Sequence, residues 1–95
     1  MATYMILSKL AADALKDPSE FKRLADTVTG KIKSACPNVK WKESYALMGR
    51  FDVVDIVEGD DPAEVERAAM IIRCYGHATT ETMLATPWKT FLGSM

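Results

Sequence analysis

One short signature occurs twice in this chain, and both copies are typical of the first turn of a helix. Asp17-Pro18-Ser19-Glu20 and Asp61-Pro62-Ala63-Glu64 each place an aspartate before a proline. The aspartate can accept hydrogen bonds from free first-turn amides, the proline fits the first helical position, and the glutamate can complete a capping box. Because each copy stands between strand-like segments, the repeat predicts two β-α-β halves.

The first half contains a buried strand and one amphipathic helix. Residues 3–10 are nearly continuous in apolar character, which predicts a strand buried on both faces. Residues 10–16 predict a brief helical turn or loop. The helix that follows carries apolar residues at spacings of three and four, which predicts a single buried face. These residues are Phe21, Leu24, Ala25, Val28, Ile32 and Cys36.

The second half repeats this plan after a hairpin. Residues 39–48 and 51–58 predict two strands joined by a tight turn at Gly49-Arg50. On the first of them, one side is predicted to carry Val39, Trp41, Tyr45 and Leu47. The second helix, over residues 62–75, ends at Gly76 and is predicted to bury Val65, Ala68, Ala69 and Ile72. A last strand over residues 77–85 precedes a short turn or helix over residues 87–92, which carries Trp88 and Phe91.

This order of elements, β-α-β-β-α-β, predicts the α+β fold class and a ferredoxin-like sandwich. Two helices then cover one face of a four-stranded antiparallel sheet. The chain has 95 residues, a net charge of -1 and 48% hydrophobic residues, which predicts a single domain over residues 1–95. The tetrapeptide Tyr4-Met5-Ile6-Leu7 and the pairs Val53-Val54 and Ile56-Val57 place apolar groups on both faces of the central strands. A homodimer, or a higher multiple of dimers, with two sheets packed face to face would bury them.

Several partners and cofactors are not expected. The basic residues Lys31, Lys33, Lys40, Lys42 and Arg50 lack interleaved aromatic residues beyond Trp41, so no nucleic-acid binding is predicted. No apolar run approaches the roughly 20 residues that span a bilayer, and residues 1–7 lack the features of a signal peptide. We therefore expect no membrane partner and a cytoplasmic location.

Cysteine and histidine usage argues against a metal or cofactor site. Cys36 and Cys74 have no ligand-spaced neighbours, and His77 is the single histidine. Reduced, partly buried thiols are the expectation. We expect no metal and no cofactor.

The order of elements and several local strings resemble the GYD-domain family, which is related to the dimeric α/β-barrel superfamily. The resemblance runs nearly end to end and rests on four strings: residues 4–10, residues 48–54, Thr80-Glu81-Thr82 and Ala85-Thr86-Pro87. The chain departs from the Gly-Tyr-Asp motif because Arg50-Phe51 separates Gly49 from Asp52, and phenylalanine replaces the tyrosine. The resemblance implies the fold and dimerisation. Its wider superfamily includes cofactor-free monooxygenases, isomerases, haem-handling enzymes and ligand-sensing modules. The fold alone therefore does not indicate which activity the chain has.

Polar residues within the strands are the candidate functional residues. With a two-residue turn at Gly49-Arg50, Leu47 faces Asp52 and Glu43 faces Ile56. This register would gather Trp41, Glu43, Tyr45 and Asp52 on one side as an aromatic pocket with two carboxylates. A three-residue turn would scatter them.

Each of these residues has a functional and a structural interpretation. Glu43, oriented by Tyr45, could accept a proton, or it could lie at a sheet edge and reach water or pair with Lys40 or Lys42. Asp52 could contact a ligand or accept backbone hydrogen bonds in the hairpin. His77 and Glu81 are further candidate ligand contacts, with an exposed strand start and a cross-sheet salt bridge as their structural alternatives.

Three functions are consistent with this sequence. The preferred one is a small oligomeric binding or regulatory module that holds an apolar ligand between the helices and the sheet. The first alternative is a cofactor-independent enzyme acting on a small aromatic or carbonyl compound, with Glu43, Tyr45 and Asp52 as candidate catalytic residues. The second alternative is a structural assembly subunit.

Overall fold

Four strands and two long helices follow the predicted order, and a short third helix follows the last strand. The computed structural model describes residues 1–13 and 16–95, so part of the turn predicted over residues 10–16 lies outside the described residues. The elements are β1 (Ala2–Leu10), α1 (Pro18–Ala35), β2 (Lys40–Ala46), β3 (Val53–Gly59), α2 (Pro62–Tyr75), β4 (Ala78–Ala85) and α3 (Trp88–Gly93).

The strands form one antiparallel sheet in the order β2-β3-β1-β4. β1 and β3 are therefore central, as the apolar character of both segments predicts. Ile6 lies opposite Asp55 on β3 and opposite Thr82 on β4, which sets the register across the sheet. Because both long helices lie on one face, the predicted ferredoxin-like fold class is confirmed.

Both helix starts are capped as the repeated signature predicts. Oδ1 of Asp17 accepts a hydrogen bond from the amide of Ser19 at 3.0 Å, and Oδ1 of Asp61 accepts one from the amide of Ala63 at 3.0 Å. The capping box predicted for α2 does not form, because the glutamate has a different partner. Glu64 accepts from the backbone amide of Asn38 at 2.7 Å, and this bond ties the chain after α1 to the start of α2.

The core lies between α2 and the central strands. α2 buries the four predicted residues, and they pack against Ile6 and Val57 of the sheet and against Ile32 and Cys36 from the α1 side. The α2 residues are Val65, Ala68, Ala69 and Ile72. α2 packs against β1, β3 and β4, whereas the backbone of α1 lies close to that of α2. As a consequence, α1 stands away from the β2 side of the sheet.

A β-bulge in β2 changes which residues share a face. Glu43 lies opposite Ile56 as predicted, but Trp41 lies opposite Val57, so Lys42 is an extra residue on this strand. Val57 belongs to the core, and Trp41 therefore faces the helices while Glu43 faces the other side. The prediction that Trp41, Tyr45 and Leu47 share one side of β2 is wrong. The bulge reverses which side of the sheet the residues face, and a sequence pattern of period two does not reveal it.

A glycine is needed at the end of α2 because a side chain has no room there, not because the backbone requires a conformation that favours glycine. Gly76 has a φ of -95°, but a Cβ at this position would lie 2.5 Å from the carbonyl oxygen of Ile72. His77, the next residue, adopts the left-handed region with a φ of 52°. β4 then begins at Ala78, one residue later than predicted.

Two apolar surfaces remain uncovered in the single chain. The open face is the side of the sheet away from the helices; its central residues Met5, Leu7 and Ile56 are half-buried and Met83 is exposed, whereas Val54 on the same side is buried beneath its neighbours. The other surface is α3, where the rings of Trp88 and Phe91 stack at 5.8 Å and are 69% and 46% exposed. The radius of gyration is 14.0 Å, against about 12 Å for a compact chain of this length. No helix among the described residues is long and apolar enough to cross a membrane.

Candidate ligand-binding cavity

An open cavity of about 800 Å³ lies between α1 and the sheet. Its wall on the helix side is the apolar face of α1, and its floor is formed by the helix-facing residues of β2 and β3. The wall carries Phe21, Leu24, Ala25, Val28 and Ile32, and the apolar part of the floor carries Val39, Trp41, Ala46 and Val53. Cavities of about 300 to 1,000 Å³ are the usual size for small-molecule sites.

The position of α1 explains why the cavity exists. The three- and four-residue spacing of its apolar residues turns Phe21, Leu24 and Val28 toward the sheet. Yet these three side chains are only half-buried, because α1 packs along α2 and does not close onto β2. The predicted apolar face of α1 therefore lines a cavity and is covered in the core only near Ile32.

A hydrogen-bonded group of three side chains, the floor triad, lies on the cavity floor. It consists of Trp41, Ser44 and Asp55. Oδ1 of Asp55 accepts from Oγ of Ser44 at 2.6 Å and from Nε1 of Trp41 at 3.1 Å. Asp55 is 8% exposed, and it holds the two β2 side chains over the sheet. The bulge at Lys42 makes this geometry possible because it turns Trp41 to the same side as Ser44.

Ser8 adds a polar atom to the floor beside the floor triad. It is 4% exposed, lies opposite Val53 in the register and borders the cavity. Its Oγ is buried and has no hydrogen-bond partner among the described residues. Buried hydroxyl groups are normally paired, so the enclosed and unpaired Oγ of Ser8 is an exception, and it lies beside the cavity floor.

Asp52 closes one end of the cavity and connects three chain segments. Its Oδ2 accepts from the amide of Leu10 at 2.8 Å, its own amide donates to the carbonyl of Ser8 at 2.8 Å, and its carbonyl accepts from the amide of Leu47 at 2.8 Å. The side chain thus fixes the end of β1 against the start of β3. Asp52 therefore has a structural role, but its carboxylate accepts from the backbone of β1 and not from the hairpin as predicted, and one carboxylate oxygen is already used.

The structure divides the predicted pocket residues between the two faces of the sheet. Trp41 and Asp52 border the cavity. Glu43 lies opposite Ile56 on the open face and is exposed. Tyr45 lies opposite Val54 on the same open face, although it also borders the cavity rim. The predicted aromatic pocket with Glu43 beside Trp41 does not form, because the bulge separates them.

The remaining two candidates lie away from this cavity. The carbonyl of His77 accepts from the amide of Ala11 at 2.9 Å, and its side chain is exposed beside a shallower depression at the end of β4. Glu81 lies opposite Leu7 on the open face and is exposed. Within residues 1–13 and 16–95 no three His, Cys, Asp or Glu side chains form a group suited to a metal ion.

The two cysteines differ in environment. Both thiols are free, as expected, but neither is partly buried: Cys36 is buried at the cavity wall after α1, and Cys74 is exposed on α2. Burial raises the pKa of the Cys36 thiol above its ordinary value, and Glu64 acts in the same direction. Arg67 opposes that rise in pKa through its charge and a hydrogen bond. The thiol is therefore a neutral part of the wall at neutral pH.

Sequence reasoning missed Ser8 and Ser44 and gave Asp55 little weight. The sequence of β3 does contain a signal for Asp55. Val53, Asp55 and Val57 alternate along the strand and so share one face, and the two residues that flank Asp55 on that face are apolar. A charged residue at the middle of a buried apolar row requires a partner or a ligand. Ser44 could be assigned to the same face only after the bulge was known.

The fold and the cavity together define a small ferredoxin-like α+β domain with an open, largely apolar cleft between a helix and its sheet. The chain belongs to the GYD domain family, whose pattern it matches over residues 4–94.

One relative in sequence and two solved structures of similar fold match over most of the chain. A Thermus thermophilus protein described as "Glutamine synthetase and cystathionine beta-lyase binding protein" is 30% identical over 91 residues, which cover 92% of this chain and 90% of the relative. The leucine response regulatory protein of Mycobacterium tuberculosis has a similar fold, with a TM-score of 0.62 and 10% identity over 90% of this chain. The match spans about half, 51%, of that regulator. A hypothetical protein of Pyrococcus horikoshii has a TM-score of 0.56 and 24% identity, and the match covers 92% of both chains.

Proposed function

We propose that this protein is a homo-oligomeric, cytoplasmic binding module that holds a small, largely apolar ligand between α1 and the sheet. The observation that carries this proposal is the open cavity of about 800 Å³ with apolar walls from α1 and β2. Half-buried apolar side chains around an open cleft lower the free energy of the complex when a ligand covers them.

Binding is favoured over catalysis by the positions of the carboxylates. Glu43, the candidate base, lies on the open face, away from the cavity floor. Asp52 is bonded to the amide of Leu10, and Asp55 is bonded to Trp41 and Ser44. One oxygen of each cavity carboxylate is therefore held by a structural partner, which restricts how either carboxylate can be presented to a substrate proton.

The open face supports the oligomeric part of the proposal. Met5, Leu7 and Ile56 lie near one another across the two central strands and are half-buried, and no helix of residues 1–13 and 16–95 lies over them. Contiguous apolar patches of this kind mark protein interfaces in small domains. A second copy with the same patch would cover it through a two-fold, self-complementary contact.

The first test of ligand binding is native mass spectrometry of untagged protein purified from its own cells. A reproducible extra mass on the oligomer supports a bound small molecule. The matched variants are Ala46→Trp, which fills the cavity floor, and Ala63→Trp, which adds the same side chain at an exposed position of α2. We expect Ala46→Trp to lose the extra mass and Ala63→Trp to keep it. An identical extra mass on both variants contradicts binding in this cavity, and turnover of a candidate aromatic substrate by the wild type would favour the enzyme alternative.

A second candidate function is binding of a metabolic enzyme. The relative that is 30% identical is described as a binding protein for glutamine synthetase and cystathionine beta-lyase. In this chain, α3 presents Trp88 and Phe91 on an uncovered surface, and such aromatic residues frequently dominate the energy of protein interfaces.

Size-exclusion chromatography of mixtures with each of these two enzymes tests this second function. Co-elution that is lost in Trp88→Ala and kept in Lys89→Ala supports it, since Lys89 is exposed on the same short helix. Separate elution of both enzymes from the wild type contradicts it.

A further inference from the structure

We propose that the cavity selects ligands that carry a protonated primary amine at one end of an apolar body. This inference rests on the proposed function, because the amine would occupy the polar part of the same cavity floor. Its structural basis is the juxtaposition of the free oxygen of Asp55 with the unpaired hydroxyl of Ser8.

Asp55 has no positive partner among the residues that the structure describes. Its Oδ1 already accepts two hydrogen bonds, while its Oδ2 accepts none from any residue that the structure describes. This Oδ2 is not enclosed, so a ligand in the cavity can reach it. No lysine or arginine in the described ranges lies within ion-pair distance of Asp55. A carboxylate that is 8% exposed is costly to leave without a counter-charge, and a cationic ligand group would supply one.

Ser8 provides the second acceptor. It lies opposite Val53, two residues before Asp55, so Ser8 and Asp55 are diagonal neighbours on the helix-facing side of β1 and β3. Diagonal neighbours have Cα atoms about 7 to 8 Å apart. An ammonium group has three donors and no acceptor, and in the cavity it can donate to Oδ2 of Asp55. Oγ of Ser8 is enclosed in the ligand-free protein, so a second bond to it requires a change of side-chain rotamer that turns Oγ toward the cavity.

The rest of the cavity fits an apolar body. The wall from Phe21 to Ile32 and the floor residues Ala46 and Val53 offer carbon surface along the cleft. A neutral alcohol would form a weaker bond with Asp55 than an ammonium group, because charge-assisted hydrogen bonds are roughly twice as strong as neutral ones. A carboxylate ligand would meet the negative charge of Asp55. The expected order of affinity is therefore amine, then alcohol, then acid.

Three probes with one body test this order: 4-phenylbutylamine, 4-phenylbutanol and 4-phenylbutyrate. Isothermal titration calorimetry with the full chain gives each dissociation constant. We expect the amine to bind about tenfold tighter than the alcohol, and the acid to bind weakest. Equal affinity for amine and alcohol, or tighter binding of the acid, overturns the amine inference and leaves the proposed cavity function intact. If none of the three binds, the amine inference is overturned, and the extra mass in native mass spectrometry decides separately whether the cavity binds another ligand.

Three variants locate the effect, and circular dichroism verifies that each is folded. Asp55→Asn keeps the acceptor for Trp41 and Ser44 but removes the charge, and we expect the advantage of the amine over the alcohol to disappear. Ser8→Ala removes one acceptor and should weaken amine binding about threefold to tenfold. Asp26→Asn removes the same charge from an exposed position of α1 and should leave all three affinities unchanged. An amine preference that survives both Asp55→Asn and Ser8→Ala overturns the inference.

Discussion

The indole Nε1 of Trp41 lies 3.1 Å from Oδ1 of Asp55 and donates a hydrogen bond to it across the β2-β3 pair. This bond exists because the bulge at Lys42 turns Trp41 toward the helices, whereas a regular strand would place it beside Glu43 on the open face. An irregularity in strand register thus builds the polar floor of the cavity.

Asp55→Ala should destabilise the protein. The substitution removes the shared acceptor of Trp41 and Ser44, and hydrogen bonds to a charged group contribute about 1.5 to 3 kcal/mol. We expect the free energy of unfolding, measured by urea denaturation, to fall by about 2 kcal/mol. Asp55→Asn should lose less, because the amide oxygen can replace Oδ1. Asp26→Ala, at an exposed position of α1, is the control, and an equal loss there contradicts a specific role for Asp55.

Asp52→Ala should release the end of β1. Its carboxylate accepts from the amide of Leu10 at 2.8 Å, so removing it leaves that amide without its acceptor. We expect hydrogen exchange at the Leu10 amide to accelerate at least about tenfold, which corresponds to about 1.4 kcal/mol of lost protection. Asp60→Ala, an exposed aspartate after β3, should leave this rate unchanged. Unaltered exchange at Leu10 in Asp52→Ala would show that the bond contributes nothing to the stability of this strand end.

Local chemistry made the helices and the strand order predictable. The Asp-Pro signatures specify where α1 and α2 begin because capping involves neighbouring residues alone. The buried residues of α2 follow from spacing because this helix lies directly on the sheet. Period-two alternation and the short turn likewise place Glu43 opposite Ile56.

The candidate site was less predictable because it depends on two non-local features. The bulge at Lys42 inverts the faces of β2, and no residue in that strand specifies it by type. The distance between α1 and the sheet is set by how α1 packs on α2. The apolar spacing of Phe21, Leu24 and Val28 would be the same in a closed core and in a cavity wall, so the sequence does not distinguish the two. The sequence therefore predicted a site between helices and sheet that includes Trp41 and Asp52, but the prediction added Glu43, which lies on the other face, and left out Ser8 and Ser44.

The two thiols should react at very different rates. Cys74 is exposed and Cys36 is buried with a raised pKa, so a thiol reagent should modify Cys74 first in the folded protein. Cys74→Ala should leave a protein that reacts slowly until denaturant is added. Mass spectrometry of modified peptides identifies the site, and rapid modification of Cys36 in the folded state would contradict its burial.

The Cys36 thiol should make the free energy of unfolding depend on pH in the alkaline range. Since the pKa of Cys36 is higher in the folded state, the unfolded chain loses this proton first as the pH rises past about 8.5. The unfolded state then binds fewer protons, and the free energy of unfolding falls with increasing pH. Cys36→Ala should show a shallower fall than Cys74→Ala in urea denaturation at several alkaline pH values. Parallel curves for the two variants would contradict a contribution from Cys36.

Ile56→Lys should dissociate the proposed homodimer. Ile56 lies between Met5 and Glu43 on the open face, and a lysine there would bring a charge into a face-to-face sheet contact. We expect light scattering after size-exclusion chromatography to give a dimer for the wild type and a monomer for this variant. Met70→Lys, which changes an exposed methionine on α2, should remain dimeric. A monomeric wild type at micromolar concentration contradicts the open face as a dimer interface.

Ser8→Ala should stabilise the ligand-free protein, although the same change is expected to weaken amine binding. Oγ of Ser8 is buried without a partner, so the folded state bears the desolvation of a hydroxyl that is hydrogen-bonded to water in the unfolded chain. Removing it should raise the free energy of unfolding by about 1 kcal/mol in urea denaturation. Ser19→Ala provides a comparison in which an exposed serine is changed at the start of α1, with little effect expected. A loss of stability in Ser8→Ala would show that the hydroxyl is satisfied in solution. A gain, together with weaker amine binding, would mean that this serine is retained at a cost to folding because it contacts a ligand.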